Sequence, residues 1–296
     1  MTPEIREIQE TMERLGYIAE ADIATAVYLS RAMRKPLLVE GDAGVGKTEI
    51  AKVLAASLNT ELIRLQCYEG LDVNTALYEW DYQRQLLQLK IAEGNGTAAG
   101  DIEEMIFSRR YLLERPLLRA ITRQDGPPVL LIDEIDRADE GFEAFLLELL
   151  SDFQVSIPEL GLIRAKHIPH VVLTSNRTRE IGDAVRRRCL YLYIDHPPLE
   201  KEIRIIRARV PDASERLANQ IALFMQQLRT RRLVKVPGAA ETIDWARALV
   251  TLHRDALDAE TVEQTLGVIL KDHHDATELD AVAVRSLVEQ ATAEGR

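Results

Sequence analysis

Eight consecutive residues in the first part of the chain have the types and spacing of a phosphate-binding loop. Residues 41–48 read Gly-Asp-Ala-Gly-Val-Gly-Lys-Thr, which fits the pattern G-x-x-x-x-G-K-[ST] in full. The glycines of such a loop let backbone N–H groups turn toward the β- and γ-phosphates, and the following helix adds the positive end of its dipole. The nucleotide-binding residues predicted here are Gly41, Asp42, Ala43, Gly44, Val45, Gly46, Lys47, Thr48 and Glu49.

Two side chains of this loop would contact the ligand directly. Lys47 would neutralise phosphate charge, and Thr48 would hold Mg²⁺ through its hydroxyl. The flanking segments agree with this prediction, because residues 36–40 form a short apolar run and residues 49–58 are rich in Ala, Leu and Lys. An order of strand, loop and helix favours a nucleotide site over a chance match.

A second apolar strand ends in two acidic residues. Residues 129–132 read Val-Leu-Leu-Ile, which is typical of a strand buried on both faces, and Asp133 and Glu134 follow. Side chains at the carboxyl ends of neighbouring parallel strands converge on one crevice. Asp133 would then reach the Mg²⁺ held by Thr48, and Glu134 would polarise the water that attacks the γ-phosphate. The alternative is a strand that simply ends in a polar turn.

Two further polar features follow in the chain. Asn176 closes another apolar strand and would orient the attacking water, although an Asn at a strand end is otherwise a common turn former. Residues 186–188 are three consecutive arginines. They fit either a solvated helix end that interacts with the helix dipole or an arginine finger offered to the γ-phosphate on a neighbouring subunit.

Strands alternate with helices in the part of the chain that carries these residues. The strands are predicted at 37–40, 62–66, 129–133, 170–175 and 190–194, after a helical region that reaches residue 34. The clearest helices between them are predicted at 48–58 and 141–152. This alternation predicts an α/β fold with a parallel sheet covered by helices on both faces. Residues 94–100, which contain three glycines, are predicted to form a flexible loop.

The strand signal ends at the His-Pro-Pro sequence of residues 196–198. Amphipathic helices are predicted beyond it at 199–210, 214–228, 240–253, 259–270 and 278–293. We therefore predict two domains, a nucleotide-binding α/β domain with an N-terminal helical segment at 1–197 and a C-terminal all-helical lid domain at 198–296.

Composition limits the classes of function. The 296 residues include 48 acidic and 37 basic ones, a formal net charge of −11, which counts against a protein whose main task is to grip nucleic acid. Cys67 and Cys189 are far apart, which argues against a zinc cluster or a disulfide framework. The pair His273-His274 is expected on the solvated surface. Without a long apolar run, the expectation is a cytoplasmic protein with no integral membrane segment.

These motifs together resemble the AAA+ ATPases. The resemblance rests on the phosphate loop, on Leu-Ile-Asp-Glu-Ile-Asp-Arg-Ala at 131–138, on Thr-Ser-Asn at 174–176, on the arginine cluster and on the helical lid. Within these ATPases the chain looks most like the MoxR family. Residues 67–72, 77–82 and 148–152 are similar to the branch that includes the ATPase for maturation of carbon monoxide dehydrogenase.

The resemblance implies a P-loop NTPase that hydrolyses ATP with Mg²⁺. It implies that Asn176 is the residue called sensor 1 and that Arg188 is the arginine finger, with Arg187 as the next candidate. It further implies a homo-oligomeric ring, a hexamer, in which each ATP site is completed by the neighbouring subunit. Proteins of this kind act as chaperones that remodel a client metalloenzyme or complex, often beside a partner with a von Willebrand factor A domain. Because of the acidic balance of the chain, no nucleic acid is expected as partner.

The resemblance is not uniform. MoxR proteins place a sensor 2 arginine in a Ser-Pro-Arg-like start of a lid helix, whereas this chain has Glu-Thr-Ile-Asp-Trp-Ala-Arg at 241–247. Arg247 would reach the phosphates from about one turn later, or it is an ordinary surface arginine. Residues 153–166 resemble a hairpin placed before sensor 1 in this group, which would either line a central pore and touch the client or be purely structural.

Two other functions stay open at this point, since a fold does not determine a function. One is an AAA+ motor or loader that acts on nucleic acid, and the acidic balance counts against it. The other is a slow ATP-gated switch or scaffold, against which Glu134, Asn176 and the arginines argue. A molybdenum hydroxylase such as carbon monoxide dehydrogenase is implied as client by the resemblance alone.

Overall fold

The computed structural model describes residues 1–94 and 99–294. The strands in these residues are β1 (Leu37–Gly41), β2 (Leu62–Gln66), β3 (Tyr78–Trp80), β4 (Leu112–Glu114), β5 (Val129–Asp133), β6 (Gln154–Ile157), β7 (Gly161–Arg164), β8 (His170–Ser175) and β9 (Leu190–Ile194).

Helices fill most of the remaining chain. They are α1 (Pro3–Arg14), α2 (Ala21–Met33), α3 (Lys47–Ser57), α4 (Val73–Ala76), α5 (Tyr82–Gly94), α6 (Ala99–Ile106), α7 (Pro116–Thr122), α8 (Glu140–Asp152), α9 (Asp183–Arg186), α10 (Leu199–Arg209), α11 (Glu215–Arg229), α12 (Ala239–Thr251), α13 (Ala259–Ile269), α14 (His273–Glu278) and α15 (Ala281–Glu294). None of the helices in the described ranges combines the length and apolar character needed to cross a bilayer.

Five strands form one parallel sheet in the order β2-β5-β8-β1-β9. Strands β1, β5 and β8 are buried along almost their whole length, as expected of central strands made of continuous apolar runs. The strands β3 and β4, and separately β6 and β7, pair as antiparallel two-stranded sheets. The predicted α/β fold, a parallel sheet with helices followed by a helical region, is confirmed.

The chain divides into two compact units, and neither is continuous in sequence. One consists of residues 22–40 and 51–192 and contains most of the sheet. The other consists of residues 1–21, 41–50 and 193–296, so it joins the phosphate loop to the C-terminal helices. The predicted domain boundary after residue 197 therefore stays a prediction, because these units follow contacts rather than chain order.

Each unit has its own hydrophobic core. The sheet packs against helices α7 and α8, whose apolar faces include the fully buried Leu118 and Leu146. Helices α10 to α15 enclose a separate core around Trp245 and Phe224, whose ring centroids are 5.0 Å apart. Burial of aromatic side chains of this size is a major source of folding free energy.

Two predicted elements differ from the structure. The helix predicted at 278–293 is α15, which begins three residues later at Ala281, and the short helix α14 before it was not predicted. Leu279 is buried in the core of the C-terminal helices, and the Asp280 carboxylate accepts a hydrogen bond from Ala283 N, which starts a new helix. Of the loop predicted at 94–100, Gly94 and Gly100 are helical, and residues 95–98 lie outside the described residues.

Candidate nucleotide site

The phosphate loop connects β1 to α3, as predicted. Gly41 is required by a close approach, because a Cβ at this position would lie 2.2 Å from the carbonyl oxygen of Ile194. Gly44 has φ +76°, a left-handed conformation that side chains other than glycine rarely adopt. The backbone can therefore turn here as a phosphate-binding loop requires.

The ammonium group of Lys47 lies against the beginning of its own loop. Its Nζ donates to the carbonyl oxygens of Gly41 at 2.9 Å and Asp42 at 2.6 Å, and the residue is buried. A buried cation held at the first residue of α3 lies where a bound phosphate chain would need it. Its predicted contact with phosphate stays a prediction.

A cleft borders the phosphate loop within the same compact unit and offers about 710 Å³ of space. Its walls include Tyr17 and Ile18 from the N-terminal segment, Val45 from the loop and Ile243 from α12. Largely apolar walls beside a phosphate loop suit the adenine base of a nucleotide. The sequence analysis missed the N-terminal contribution, because nothing in the local pattern of residues 16–18 indicates a ligand.

Asp133, the predicted Mg²⁺ ligand, is buried at the carboxyl end of β5. Its Oδ2 accepts two hydrogen bonds from the Arg64 guanidinium, at 3.0 Å from Nε and 2.6 Å from Nη2, and its Oδ1 accepts one at 2.5 Å from the Thr174 hydroxyl. A carboxylate oxygen is a ligand that Mg²⁺ prefers, so the side chain fits the ion. Whether Asp133 and Thr48 share that ion stays a prediction.

Glu134, the predicted water-polarising residue, directly follows β5 in a left-handed conformation with φ 57° and ψ 50°. Its backbone N–H donates to the Thr174 hydroxyl at 2.9 Å. The Asn176 amide donates to Glu134 Oε1 at 3.4 Å, while Oε2 accepts from Gln66 at 3.1 Å and pairs with Arg137 at 2.9 Å. The structure therefore brings Glu134 and Asn176 together, as the sequence analysis expected.

A buried aspartate organises the segment that carries Asn176. Asp136 Oδ1 accepts from the backbone N–H of Asn176 at 3.2 Å, and its Oδ2 accepts from the backbone N–H of Thr178 at 2.9 Å and from its hydroxyl at 2.6 Å. Neither Thr174 nor Asp136 was singled out from the sequence. Their partners are about forty residues away in the chain, so only the pairing of β5 with β8 reveals them.

The three consecutive arginines do not share one environment. Arg186 is turned inward to the buried carboxylate of Glu40. Arg187 is 81% exposed and lies 3.6 Å from Asp183 of its own helix. Arg188 donates from Nε to the Ser151 hydroxyl and from Nη1 to the Ala184 carbonyl at 2.8 Å. The two predicted finger residues are thus the two that do not pair with Glu40.

The remaining predicted residues have simpler surroundings. Arg247 is half exposed and lies 3.6 Å from Asp244 on α12, so its role as sensor 2 stays a prediction. Residues 153–166 contain the antiparallel pair β6 and β7, which is the expected hairpin. His273 and His274 are exposed at the start of α14.

Comparison with known proteins places this site in a family. Residues 37–194 match the family described as ATPase family associated with various cellular activities (AAA). The gas vesicle ATPase GvpN of Haloferax mediterranei is 25% identical over 258 residues, which cover 83% of this chain and 71% of that protein. Chaperone protein ClpB 2 of Parasynechococcus marenigrum is 29% identical over 168 residues, which cover 53% of this chain and 16% of that protein.

The solved structures agree on the fold. A RuvB mutant of Thermotoga maritima superimposes with a TM-score of 0.50 and 17% identity over 99% of this chain and 91% of that one. At this identity the likeness bears on the fold alone. The family match, by contrast, covers more than half of the chain and includes the phosphate loop, Asp133 and Glu134. The chain belongs to the AAA family of ATPases and hydrolyses ATP with Mg²⁺.

Proposed function

We propose that this ATPase is a chaperone of MoxR type, which uses ATP hydrolysis to remodel a client protein complex. The observation that carries the hydrolytic part is the contact between Asn176 and Glu134, 3.4 Å from amide nitrogen to carboxylate oxygen. A protein that only bound ATP would not need an amide directed at this carboxylate. The chaperone part is supported by the similarity to Chaperone protein ClpB 2, and a gas vesicle ATPase is a second relative of this chain.

The site residues divide the reaction into three tasks. Lys47 stabilises charge on the γ-phosphate, a task that Arg188 or Arg187 of a neighbouring subunit would share. Thr48 and Asp133 would hold Mg²⁺, which would supply positive charge beside the phosphates. Glu134 and Asn176 position the attacking water, and Glu134 accepts its proton.

A ring of identical subunits, a hexamer as the family resemblance implies, follows from this division of tasks. Arg187 and Arg188 directly follow the short helix α9; the Arg187 side chain is 81% exposed, and Arg188 is partly exposed. An arginine supplied by a neighbour would make activity depend on assembly. Arg247 is assigned as a contact to the phosphates within the same subunit.

The client is proposed to be a molybdenum-containing metalloenzyme, as in the carbon monoxide dehydrogenase branch of the MoxR family. A protein with a von Willebrand factor A domain would bind beside it. This work would take place in the cytoplasm. The net charge of −11 supports a protein client over nucleic acid, since a phosphate backbone would be repelled.

The experiment is a pull-down from native extract with tagged Glu134→Gln protein in ATP and Mg²⁺, followed by mass spectrometry of the bound proteins. The variant should bind ATP and stop before hydrolysis, and so retain its client. Tagged Lys47→Ala protein is the matched control, because it carries the same surfaces but should not bind ATP.

Recovery of a metalloenzyme subunit or a von Willebrand factor A protein with Glu134→Gln, and its absence with Lys47→Ala, would support the proposal. Recovery of replication or repair proteins with DNA, together with stimulation of turnover by DNA, would replace it with a nucleic-acid motor. Normal turnover in Glu134→Gln would remove the role assigned to Glu134. Negligible turnover of the wild-type chain in every assembly state would favour a switch or scaffold.

A further inference from the structure

The first arginine of the cluster is held by a buried carboxylate. Nη2 of Arg186 lies 3.1 Å from Oε1 and 2.9 Å from Oε2 of Glu40, whose side chain is only 3% exposed. The Tyr191 hydroxyl donates to Glu40 Oε2 at 3.0 Å, and the Arg186 guanidinium lies 5.7 Å from the centre of the Tyr191 ring. The hydrogen bond to Glu40 raises the pKa of Arg186.

This contact is costly to break. A carboxylate removed from water is strongly destabilising without a cationic or hydrogen-bonding partner. Glu40 has two such partners in the structure, and Arg186 is the charged one. Arg186 is therefore committed to Glu40 and is not available as the arginine finger.

Glu40 and Arg186 each lie directly before a functional segment of the chain. Glu40 lies in β1 and is followed immediately by Gly41, the first residue of the phosphate loop. Arg186 is the last residue of α9 and is followed immediately by Arg187 and Arg188. The pair thus joins the strand that leads into the nucleotide loop to the segment that carries both finger candidates.

We propose that Arg186 is a positioning residue, whose ion pair with Glu40 fixes the Arg187-Arg188 segment in the place where it can serve the neighbouring subunit. The inference rests on the proposed ring with shared sites. It assigns different tasks to three adjacent arginines: one anchors, and the next two are presented outward. The finger that a subunit offers is then held by the same strand that leads into its own phosphate loop.

The experiment uses mixed rings. The double variant Glu40→Gln with Arg186→Met removes both charges, so that no buried charge is left unpaired. Because a displacement of about 1 Å in a catalytic group costs about 100-fold in rate, we expect turnover to fall by about 100-fold while ATP affinity stays that of wild type. The second subunit type is Lys47→Ala, which binds no ATP but keeps its arginines.

Equal mixing of the two types should restore turnover. A double-variant subunit binds ATP and, where its neighbour is a Lys47→Ala subunit, receives an intact finger. Random assembly would place about a quarter of all sites in this arrangement, so recovery toward about a quarter of wild-type turnover is expected. Arg188→Ala is tested in the same mixtures as a comparison. Its defect should fall on the ATP site of the neighbouring subunit.

Each other outcome has a definite meaning. If Arg188→Ala is slow and rescued but the double variant has normal turnover, Arg186 is not a positioning residue, although the shared site stands. If the double variant is slow and mixing does not restore its turnover, the ion pair affects the phosphate loop of the subunit that carries it. That result also overturns the inference. If neither Arg188→Ala nor Arg187→Ala has any effect, the shared site is wrong.

A milder variant covers the case in which the double variant does not fold. Glu40→Gln alone keeps the shape of the side chain and its hydrogen-bonding capacity, and loses only the charge. It should show a smaller fall in turnover, which mixing again restores. Turnover equal to wild type in a folded Glu40→Gln protein, as measured beside Arg188→Ala, would count against the inference.

Discussion

Gly238, at the start of α12, packs directly on Gly44 of the phosphate loop. A Cβ on Gly238 would lie 2.8 Å from Gly44 Cα and 2.7 Å from the Ala43 carbonyl oxygen, both backbone atoms. Close by, the backbone N–H of Ala240 donates to the Gly44 carbonyl at 3.1 Å. The loop that is predicted to bind phosphate is thus supported from one side by a helix start of the C-terminal region.

Gly238→Ala should weaken ATP binding. Overpacking against backbone costs about 1–3 kcal/mol, and its relief requires a shift of the loop, so the Kd for ATP should rise by about tenfold or more. Equilibrium titration with a fluorescent ATP analogue measures this. The control is Gly267→Ala in α13, where a Cβ meets nothing within 4 Å; it should bind ATP normally and gain up to about 1 kcal/mol of stability. Equal affinity in both variants would contradict the prediction.

Thr174→Val should slow hydrolysis. The hydroxyl holds the Asp133 carboxylate and accepts from the Glu134 backbone, and valine has the same shape without these bonds. Since small displacements of catalytic groups are costly, kcat should fall by about tenfold or more. Thr60→Val removes a single exposed hydrogen bond, to the Pro127 carbonyl, and should leave kcat unchanged. Steady-state kinetics measures kcat for both variants. An unchanged kcat in Thr174→Val would show that Thr174 does not position Asp133 and Glu134.

Arg229→Met should destabilise the C-terminal helices strongly. Arg229 and Glu202 form an ion pair at 2.6 Å with side chains 8% and 0% exposed, and an unpaired buried charge costs about 3–5 kcal/mol. Adding Glu202→Gln should recover much of the loss. The exposed pair Arg207–Glu215, at 3.5 Å, is the control, where Arg207→Met should cost less than about 1 kcal/mol. Urea unfolding gives the free energy of unfolding of Arg229→Met, of its double variant and of Arg207→Met. Similar losses of stability in Arg229→Met and Arg207→Met would contradict the prediction.

Neither cysteine should react readily with thiol reagents in the folded protein. Burial, and to a smaller extent the Asp133 charge, raises the pKa of the Cys67 thiol to about 12, and burial raises the pKa of Cys189 to about 12. At pH 8 the reactive thiolate is then about one molecule in ten thousand. Reaction with Ellman's reagent should be slow before denaturation and complete for both thiols after it. A fast reaction in the folded protein would mean that at least one of the two thiols is not buried.

The sequence predicted the strands of the sheet most accurately. Strands β2, β5, β8 and β9 begin and end at the predicted residues. For β5 and β8 the reason is local, because each apolar run follows a proline and ends in polar residues. The phosphate loop, Asp133 and Glu134 could be predicted equally well, since each lies at the end of a strand. Local pattern was sufficient wherever the neighbours in space are also neighbours in the chain.

Contacts between distant residues could not be predicted in this way. The hairpin of β3 and β4 joins segments about thirty residues apart, and neither strand exceeds three residues. The bond from Arg64 to Asp133 depends on the register in which β2 pairs with β5. Arg186 looked equivalent to the two arginines after it, because only the fold shows that Glu40 lies beside it.

The compact unit that holds the phosphate loop has a consequence for how the protein is made. Its parts, residues 1–21, 41–50 and 193–296, leave the ribosome at widely separated times. At about 5–20 residues per second, Gly44 waits on the order of ten seconds or more for Gly238, against which it packs. During that interval the loop exists without its support from α12. The nucleotide loop is therefore synthesised well before α12 and is completed only once α12 has been made.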